Sequence, residues 1–177
     1  MFETLFRLLF LSTFAILLST SGYAQVIQQD STKAIVQDTL PKKSNPKVDA
    51  IINYAKTFLG VPYRYGGTTP SGFDCSGFIN FIFGNFGFSL VRTSYGLAEL
   101  GETVALSDIQ PGDLLFFKGS NVNSTSVGHV AMVIEVKDGS FKFIHSANGG
   151  VQITNFNTSR YYIQRYVKAK RLDYGGY

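Results

Sequence analysis

The sequence predicts an α+β domain, built from an antiparallel sheet with helices packed on one side. Apolar residues recur at helical spacing in the first half of the chain, whereas short apolar runs separated by tight turns fill the second half. Helices followed by successive strands are typical of the α+β class. The length of 177 residues suits one such domain with short flanking segments.

The first predicted helix opens at Asn45 and Pro46. Asn is a favoured N-cap residue, and Pro is favoured at the first helical position. Spacings of three and four then place one apolar face along the helix, made of Val48, Ile51, Ile52, Ala55, Phe58 and Leu59. Gly60 and Pro62 are expected to end it.

A second helix is predicted to begin near Cys75, after a loop over residues 62–73 that is rich in Gly, Pro and Thr. Gly84 and Gly87 mark its end. Its apolar stripe consists of Cys75, Phe78, Ile79, Ile82 and Phe86.

Strands are predicted in the second half, at 113–117, 127–136, 141–145, 151–153 and 161–171. Asp138 and Gly139 favour a two-residue hairpin turn, so the second and third of these strands should be neighbours in the sheet. A further turn over residues 148–150 leads into the next strand.

The N-terminal residues 1–24 are typical of a cleaved signal peptide. Arg7 precedes an apolar run over residues 8–18, and the small residues Gly22 and Ala24 fit a cleavage site. We therefore expect an exported protein, in the periplasm or outside the cell, with no stable membrane insertion after cleavage. A retained anchor helix is the alternative.

Polar residues dominate 25–46, which predicts a flexible linker. The catalytic domain is then expected over residues 47–173, with a tail at 174–177. The net charge of +4 is modest and falls short of the basic surface that nucleic-acid binding needs. No nucleic-acid partner is expected.

Cys75 is the single cysteine of the chain, so no disulfide can form within it. It follows Asp74 at the predicted start of a helix, where unpaired N–H groups and the helix dipole favour a thiolate. We therefore expect a reactive thiol with a depressed pKa, whose own backbone N–H faces a developing oxyanion. An inert buried thiol, an intermolecular disulfide, and Asp74 as a simple helix cap are the alternatives.

The chain has two histidines, His129 and His145, on either side of the predicted hairpin turn. Neighbouring strands would let one imidazole contact the thiol while the other orients the first, as acyl transfer requires. Taken singly, each histidine is more often structural. Together with Cys75 they could also supply three zinc ligands, but the spacing matches no short zinc motif, so no metal or other cofactor is expected.

Six motifs in this order resemble the NlpC/P60 family of cell-wall peptidases. They read VPYRYGG at 61–67, FDCSGF at 73–78, RTS at 92–94, QPGDLLFF at 110–117, GHVAMV at 128–133 and IHS at 144–146. The resemblance covers roughly residues 47–171. One departure is Tyr65, where the family often has Trp.

The resemblance implies a papain-like fold with the nucleophile at a helix N-terminus. It assigns Cys75 as nucleophile, His129 as general base and His145 as the third polar residue that orients His129. Tyr63 would lie near the thiol, where its hydroxyl could assist the oxyanion site.

The resemblance also implies substrate-binding roles for Asp74, Ser76 and Ser94, with Asp74 suited to a free peptide amine. The expected substrate is a peptidoglycan stem peptide, cut between γ-D-glutamyl and the diamino acid, diaminopimelate. Cleavage of the diaminopimelate–D-Ala crosslink, or a non-catalytic module that binds wall peptides, are the alternatives.

Overall fold

The structure, a computed structural model, describes residues 45–175. The predicted signal peptide and nearly all of the predicted linker lie outside this range and stay predictions. Within the described range, no helix combines the length and the apolar character that crossing a bilayer requires.

Helix α1 spans Pro46–Lys56 and begins as predicted. The Asn45 side chain accepts a hydrogen bond from the Lys47 backbone N–H at 2.9 Å, and Pro46 occupies the first turn. The predicted face is buried at Val48, Ile51, Ile52 and Ala55. The helix ends before the last two predicted apolar positions, which lie in a turn.

Helix α2 spans Cys75–Gly84, with Asp74 as its N-cap. The Asp74 carboxylate accepts a hydrogen bond from the Gly77 backbone N–H at 2.6 Å. Gly77 is required because a Cβ atom there would collide with the backbone oxygen of Gly67. The helix therefore starts directly against the preceding loop, which contains a short hairpin of β1, Thr68–Thr69, and β2, Gly72–Phe73.

Six further strands form one antiparallel sheet in the spatial order β3-β8-β4-β5-β6-β7. They are β3 at Glu102–Val104, β4 at Leu114–Lys118, β5 at Val127–Lys137, β6 at Ser140–Ala147, β7 at Gly150–Asn155 and β8 at Tyr166–Arg171. The predicted hairpin between β5 and β6 is confirmed: Asp138 and Gly139 have φ angles of 50° and 72°, the left-handed values that such a turn needs.

The prediction of one continuous strand over 161–171 is wrong in its first half. The chain forms a short helix α4 at Arg160–Arg165 and enters β8 only at Tyr166. Tyrosine has a high intrinsic propensity for strands. In this segment, however, tertiary packing decides the conformation, because Tyr162 packs edge-on against Phe117 and Phe143, both at 5.0 Å between ring centroids. A further helix that was not predicted, α3 at Ser94–Leu97, is capped by Thr93.

The sheet separates two apolar clusters, and alternate strand residues enter one or the other. The first cluster joins α1, α2 and Leu97 of α3 to Val130, Met132 and Ile144. The second lies on the opposite strand positions and includes Phe117, Ala131 and Phe143, with Tyr162 packed against it. The α+β class with helices on one side is confirmed, and α4 adds a small cover to the second face.

A buried ion pair ties the turn before β4 to the end of β8. Asp113 is 1% exposed. Its two carboxylate oxygens accept hydrogen bonds from Arg171 Nε at 2.7 Å and from a terminal guanidinium nitrogen at 2.8 Å. The Gln110 backbone N–H donates to the same carboxylate at 2.8 Å.

We predict that Asp113→Ala lowers the free energy of unfolding by about 3 kcal/mol. The Gln110 backbone N–H loses its acceptor, and Arg171 keeps only its hydrogen bond to the Asp108 backbone oxygen. Urea unfolding measures this. The matched control is Glu99→Ala, which removes an exposed pair with Lys168 and should not change the midpoint measurably. Equal losses in the two variants would contradict the assignment.

Candidate active site

The Cys75 thiol lies where the start of α2 meets β5. Its side chain is largely buried, with 9% of the residue exposed. The backbone N–H groups of Val130 on β5, of Ser76 and of Cys75 itself lie near enough to the sulfur to favour its thiolate form. The predicted nucleophile therefore lies beside the residue that follows His129.

The predicted depression of the thiol pKa is wrong in direction for the unliganded protein. Burial raises the pKa of Cys75 above its ordinary value, and the Asp74 carboxylate raises it further. The N–H groups of Val130, Ser76 and Cys75 act in the opposite sense but do not compensate. The desolvation of the sulfur therefore outweighs its position at a helix N-terminus.

The hairpin brings the two histidines together, as the sequence predicts. His129 Nε2 on β5 lies 3.1 Å from His145 Nδ1 on β6. The ring planes are nearly perpendicular, at 88°, with centroids 5.1 Å apart. This hydrogen bond occupies Nε2 of His129 and leaves Nδ1 as the ring nitrogen available to a thiol.

Both imidazoles are neutral near neutral pH. Burial lowers the pKa of His129 to about 4. Burial, reinforced by the charge of the neighbouring His129, lowers the pKa of His145 to about 3. Together with the raised thiol pKa, these shifts mean that the resting pair is an uncharged thiol and an uncharged imidazole.

Sequence reasoning missed two hydroxyl groups that contact His145. Its ring is fully buried. Thr154 Oγ1 on β7 lies 3.0 Å from Nε2, and the Tyr162 hydroxyl on α4 lies 3.3 Å from Nδ1. Thr154 falls one residue beyond the predicted strand 151–153, and Tyr162 fell in the segment predicted as strand. A longer reading of β7 would have found the first, but no local pattern indicates the second.

Asp74 and Ser76 form a compact network with Arg92 rather than facing an open groove. The Arg92 guanidinium donates to both Asp74 oxygens, at 3.0 and 2.6 Å, and to Ser76 Oγ at 2.8 Å. Burial raises the pKa of Asp74, but hydrogen bonds from Arg92 and Gly77 outweigh it and hold that pKa below its ordinary value. The carboxylate that was predicted to bind a substrate amine thus already has a cationic partner.

The other two predicted substrate contacts lie in different surroundings. Ser94 is the first residue of α3, next to its cap Thr93. Tyr63 forms a bridge with Phe73, and burial together with the nearby Cys75 and Asp74 raises the pKa of its hydroxyl. The structure therefore places Tyr63 near the thiol and in one cleft with His129.

A cleft of about 460 Å³ opens beside the histidine pair. Its walls include Tyr63, His129, Tyr162, Tyr161, Gln152 and Lys118. A bulge shapes it, because Phe117 pairs with His129 while Lys118 pairs with Val127, so Gly128 is unpaired. A Cβ atom on Gly128 would lie 2.7 Å from the backbone of Gly119, which accounts for glycine before His129.

Residues 45–175 contain no group of three or more His, Cys, Asp or Glu side chains arranged to hold a metal ion. What the described geometry combines is a buried thiol, an imidazole pair and a polar cleft. This combination suits attack on a carbonyl group with proton transfer through an imidazole.

We predict that the alkylation rate of Cys75 by iodoacetamide rises with pH through a midpoint above the ordinary thiol value of about 8.5. The physical reason is the burial of the sulfur. Asp74→Asn keeps a helix cap but removes a negative charge, so it should lower the midpoint. The urea-denatured protein is the control, and a native midpoint below the denatured one would contradict the prediction.

The histidines also predict acid sensitivity. Their folded pKa values of about 4 and about 3 lie below the ordinary value near 6.5, so the unfolded chain binds more protons between these limits. Stability is therefore complete above about pH 6.5 and falls with decreasing pH, by up to about 1.4 kcal/mol per pH unit for each ring.

Urea midpoints at pH 7.5 and pH 5 measure this fall. The double variant His129→Gln with His145→Gln should lose less stability over the same interval, because no imidazole must be protonated. An identical fall in both proteins would assign the acid sensitivity to other groups.

Comparison with known proteins identifies the family. The NlpC/P60 family matches residues 60–171. A γ-D-glutamyl-L-lysine dipeptidyl-peptidase of Bacillus cereus is 37% identical over 161 residues, which are 90% of this chain and 46% of that protein. The murein DD-endopeptidase MepS/murein LD-carboxypeptidase of Escherichia coli is 37% identical over 124 residues, which are 69% of this chain and 61% of that protein.

The crystal structure of an NlpC/P60 protein from Bacillus cereus superposes with a TM-score of 0.62 and 37% identity, over 74% of this chain and 41% of that one. The chain spans about half the length of the Bacillus cereus dipeptidyl-peptidase. The family match, the shared fold and the Cys75, His129 and His145 motifs agree, and the chain belongs to the NlpC/P60 family.

Proposed function

We propose that the protein is an exported cysteine peptidase that hydrolyses amide bonds in peptidoglycan stem peptides. The observation that carries this proposal is the hydrogen bond of 3.1 Å between His129 and His145, next to the strand position that holds the Cys75 sulfur. A nucleophile, a base and a group that orients the base are the three parts that thiol acyl transfer needs.

In the first half of the reaction, Cys75 Sγ attacks the carbonyl carbon of the scissile amide and its proton passes to His129 Nδ1. In this proposal the backbone N–H of Cys75 stabilises the oxyanion. When the C–N bond breaks, His129 returns the proton to the leaving amine, and the acyl group remains on sulfur as a thioester.

In the second half, His129 removes a proton from water as the water oxygen attacks the thioester. The C–S bond breaks, the acyl product leaves as a carboxylic acid, and Cys75 recovers its proton from His129. Because the resting pair is uncharged, each proton transfer accompanies bond formation instead of preceding it. His145 supports the transient imidazolium by accepting from His129 Nε2.

The scissile bond in this proposal is the one between γ-D-glutamyl and the diamino acid. Support comes from the Bacillus cereus relative, whose name specifies a γ-D-glutamyl-L-lysine dipeptidyl-peptidase and which aligns with 90% of this chain. The expected preference for a free L-Ala amine depended on the Asp74 carboxylate as the partner of that amine. Since Arg92 neutralises that carboxylate, an incoming amine must compete with the guanidinium.

One alternative has specific support, and a second is tested by the same experiment. The name of the Escherichia coli relative includes DD-endopeptidase activity, which favours the diaminopimelate–D-Ala crosslink. A non-catalytic wall-peptide-binding module is the other alternative. Against it, the thiol and both imidazoles are present and adjacent, whereas a module that only binds has no use for this arrangement. Export is proposed from the N-terminal residues 1–24.

Digestion of purified muropeptides tests the activity and the bond together. We expect the wild-type protein to release a dipeptide of L-Ala and D-Glu from free tripeptides and tetrapeptides, identified by mass. Cys75→Ala and His129→Ala should lower kcat/KM by at least about a thousandfold. His145→Ala should retain more activity, and His145→Gln more still, since an amide can hold the His129 ring.

Matched controls separate chemistry from folding. Urea midpoints of the Cys75 and His129 variants at pH 7.5 should stay near the wild-type value. Release of D-Ala from a tetrapeptide would transfer the assignment to the diaminopimelate–D-Ala bond of the stem, and conversion of a cross-linked dimer into monomers would transfer it to the crosslink. Equal cleavage of peptides still linked to muramic acid would remove the free-amine preference. A wild-type protein that binds these peptides without cutting them would establish the binding module instead.

A further inference from the structure

We propose that Tyr162 is a positioning residue that selects the tautomer of His145, and through it the tautomer of His129. The effect of Tyr162 on catalysis rests on the proposed function, whereas its effect on the tautomer rests on the geometry alone. The hydroxyl of Tyr162 lies 3.3 Å from His145 Nδ1, the same atom that lies 3.1 Å from His129 Nε2.

The tautomer decides whether His129 can act as a base. A neutral imidazole carries one proton, on either Nδ1 or Nε2. For Nδ1 of His129 to accept the thiol proton, the ring proton must sit on Nε2 and be donated to His145 Nδ1. His145 must then carry its own proton on Nε2.

Thr154 alone cannot enforce this state. Its hydroxyl lies 3.0 Å from His145 Nε2 and can either accept a proton from that nitrogen or donate one to it. In the second case His145 would be protonated on Nδ1, His129 would be protonated on Nδ1 as well, and the base would be lost. A threonine contact therefore permits both the productive and the unproductive arrangement.

Tyr162 removes this ambiguity. A phenol is a better hydrogen-bond donor than acceptor, because its oxygen lone pair is delocalised into the ring. Its donation to His145 Nδ1 requires that nitrogen to be unprotonated, which is the productive state. The single lone pair of Nδ1 is then shared, in a three-centre arrangement, between the donors His129 Nε2 and Tyr162.

Packing fixes the Tyr162 hydroxyl in this direction. The ring contacts Phe117, Phe143 and His145 with centroids 5.0, 5.0 and 5.1 Å away. Three aromatic neighbours therefore restrict the movement of the Tyr162 ring, which is partly buried and forms part of the cleft wall. A hydrogen bond with little freedom to rearrange is a suitable device for holding one tautomer.

The test is the substitution Tyr162→Phe, which keeps the ring and removes the hydroxyl. Imidazole ¹⁵N chemical shifts report which ring nitrogen carries the proton. We expect both histidines of the wild-type protein to be protonated mainly on Nε2 at pH 7.5, and the Nδ1-protonated fraction of His145 to rise in the variant. We also expect kcat to fall about tenfold with KM unchanged, because the variant lacks one hydrogen bond that stabilises the transition state.

Tyr166→Phe is the matched control, since Tyr166 packs against the same apolar cluster and lies outside the cleft. It should leave the tautomer ratio and kcat unchanged. An unchanged His145 ratio in Tyr162→Phe, or an equal change in Tyr166→Phe, overturns the inference whatever the activity. A shifted ratio in Tyr162→Phe, with no shift in Tyr166→Phe, supports the inference. If the wild-type protein cuts no wall peptide, the proposed function fails while the tautomer assignment stands.

Discussion

Desolvation is the constraint on which the site depends. The polar side chains Asp74, Ser76, His145 and Ser146 are all less than 9% exposed. A polar group without water needs a partner inside the protein, and each of these has one or more. Arg92 donates hydrogen bonds to Asp74 and Ser76. The hydroxyl groups of Thr154 and Tyr162 contact the His145 ring. The Phe73 backbone oxygen accepts a hydrogen bond from Ser146 at 2.8 Å.

The same burial determines the charge state of the reacting groups. It raises the pKa of Cys75 and lowers those of His129 and His145. An uncharged thiol beside an uncharged imidazole costs less to bury than a thiolate–imidazolium pair would. The proposed reaction therefore begins from the neutral state, and in it the hydrogen bonds around His145 have their greatest effect once charge develops on His129.

Sequence motifs located the catalytic candidates because their signals are local. Asp74 before Cys75 predicted a capped helix start, and the turn at Asp138 and Gly139 predicted that His129 and His145 would be neighbours. The fold class followed from the order of helical and strand-like segments. These features depend on residues close together in sequence.

What could not be predicted depends on tertiary packing. The direction of the thiol pKa shift follows from how deeply the sulfur is covered, which a helix-start pattern does not reveal. Arg92 reaches Asp74 across 18 positions, and no periodicity links them. Tyr162 has a strand-forming preference by itself, and its position on a helix is set by the aromatic cluster that it joins.

Alternation along β5 has a consequence for how the site responds to disturbance. His129 shares the strand face of the second apolar cluster, whereas Val130, whose N–H contacts the thiol, belongs to the first. Cys75 thus belongs to the first apolar cluster and His129 faces the second, and the two clusters meet at the peptide unit between His129 and Val130. Loosening either core alone would move one group relative to the other, so the alignment of the thiol with His129 depends on the packing of both cores.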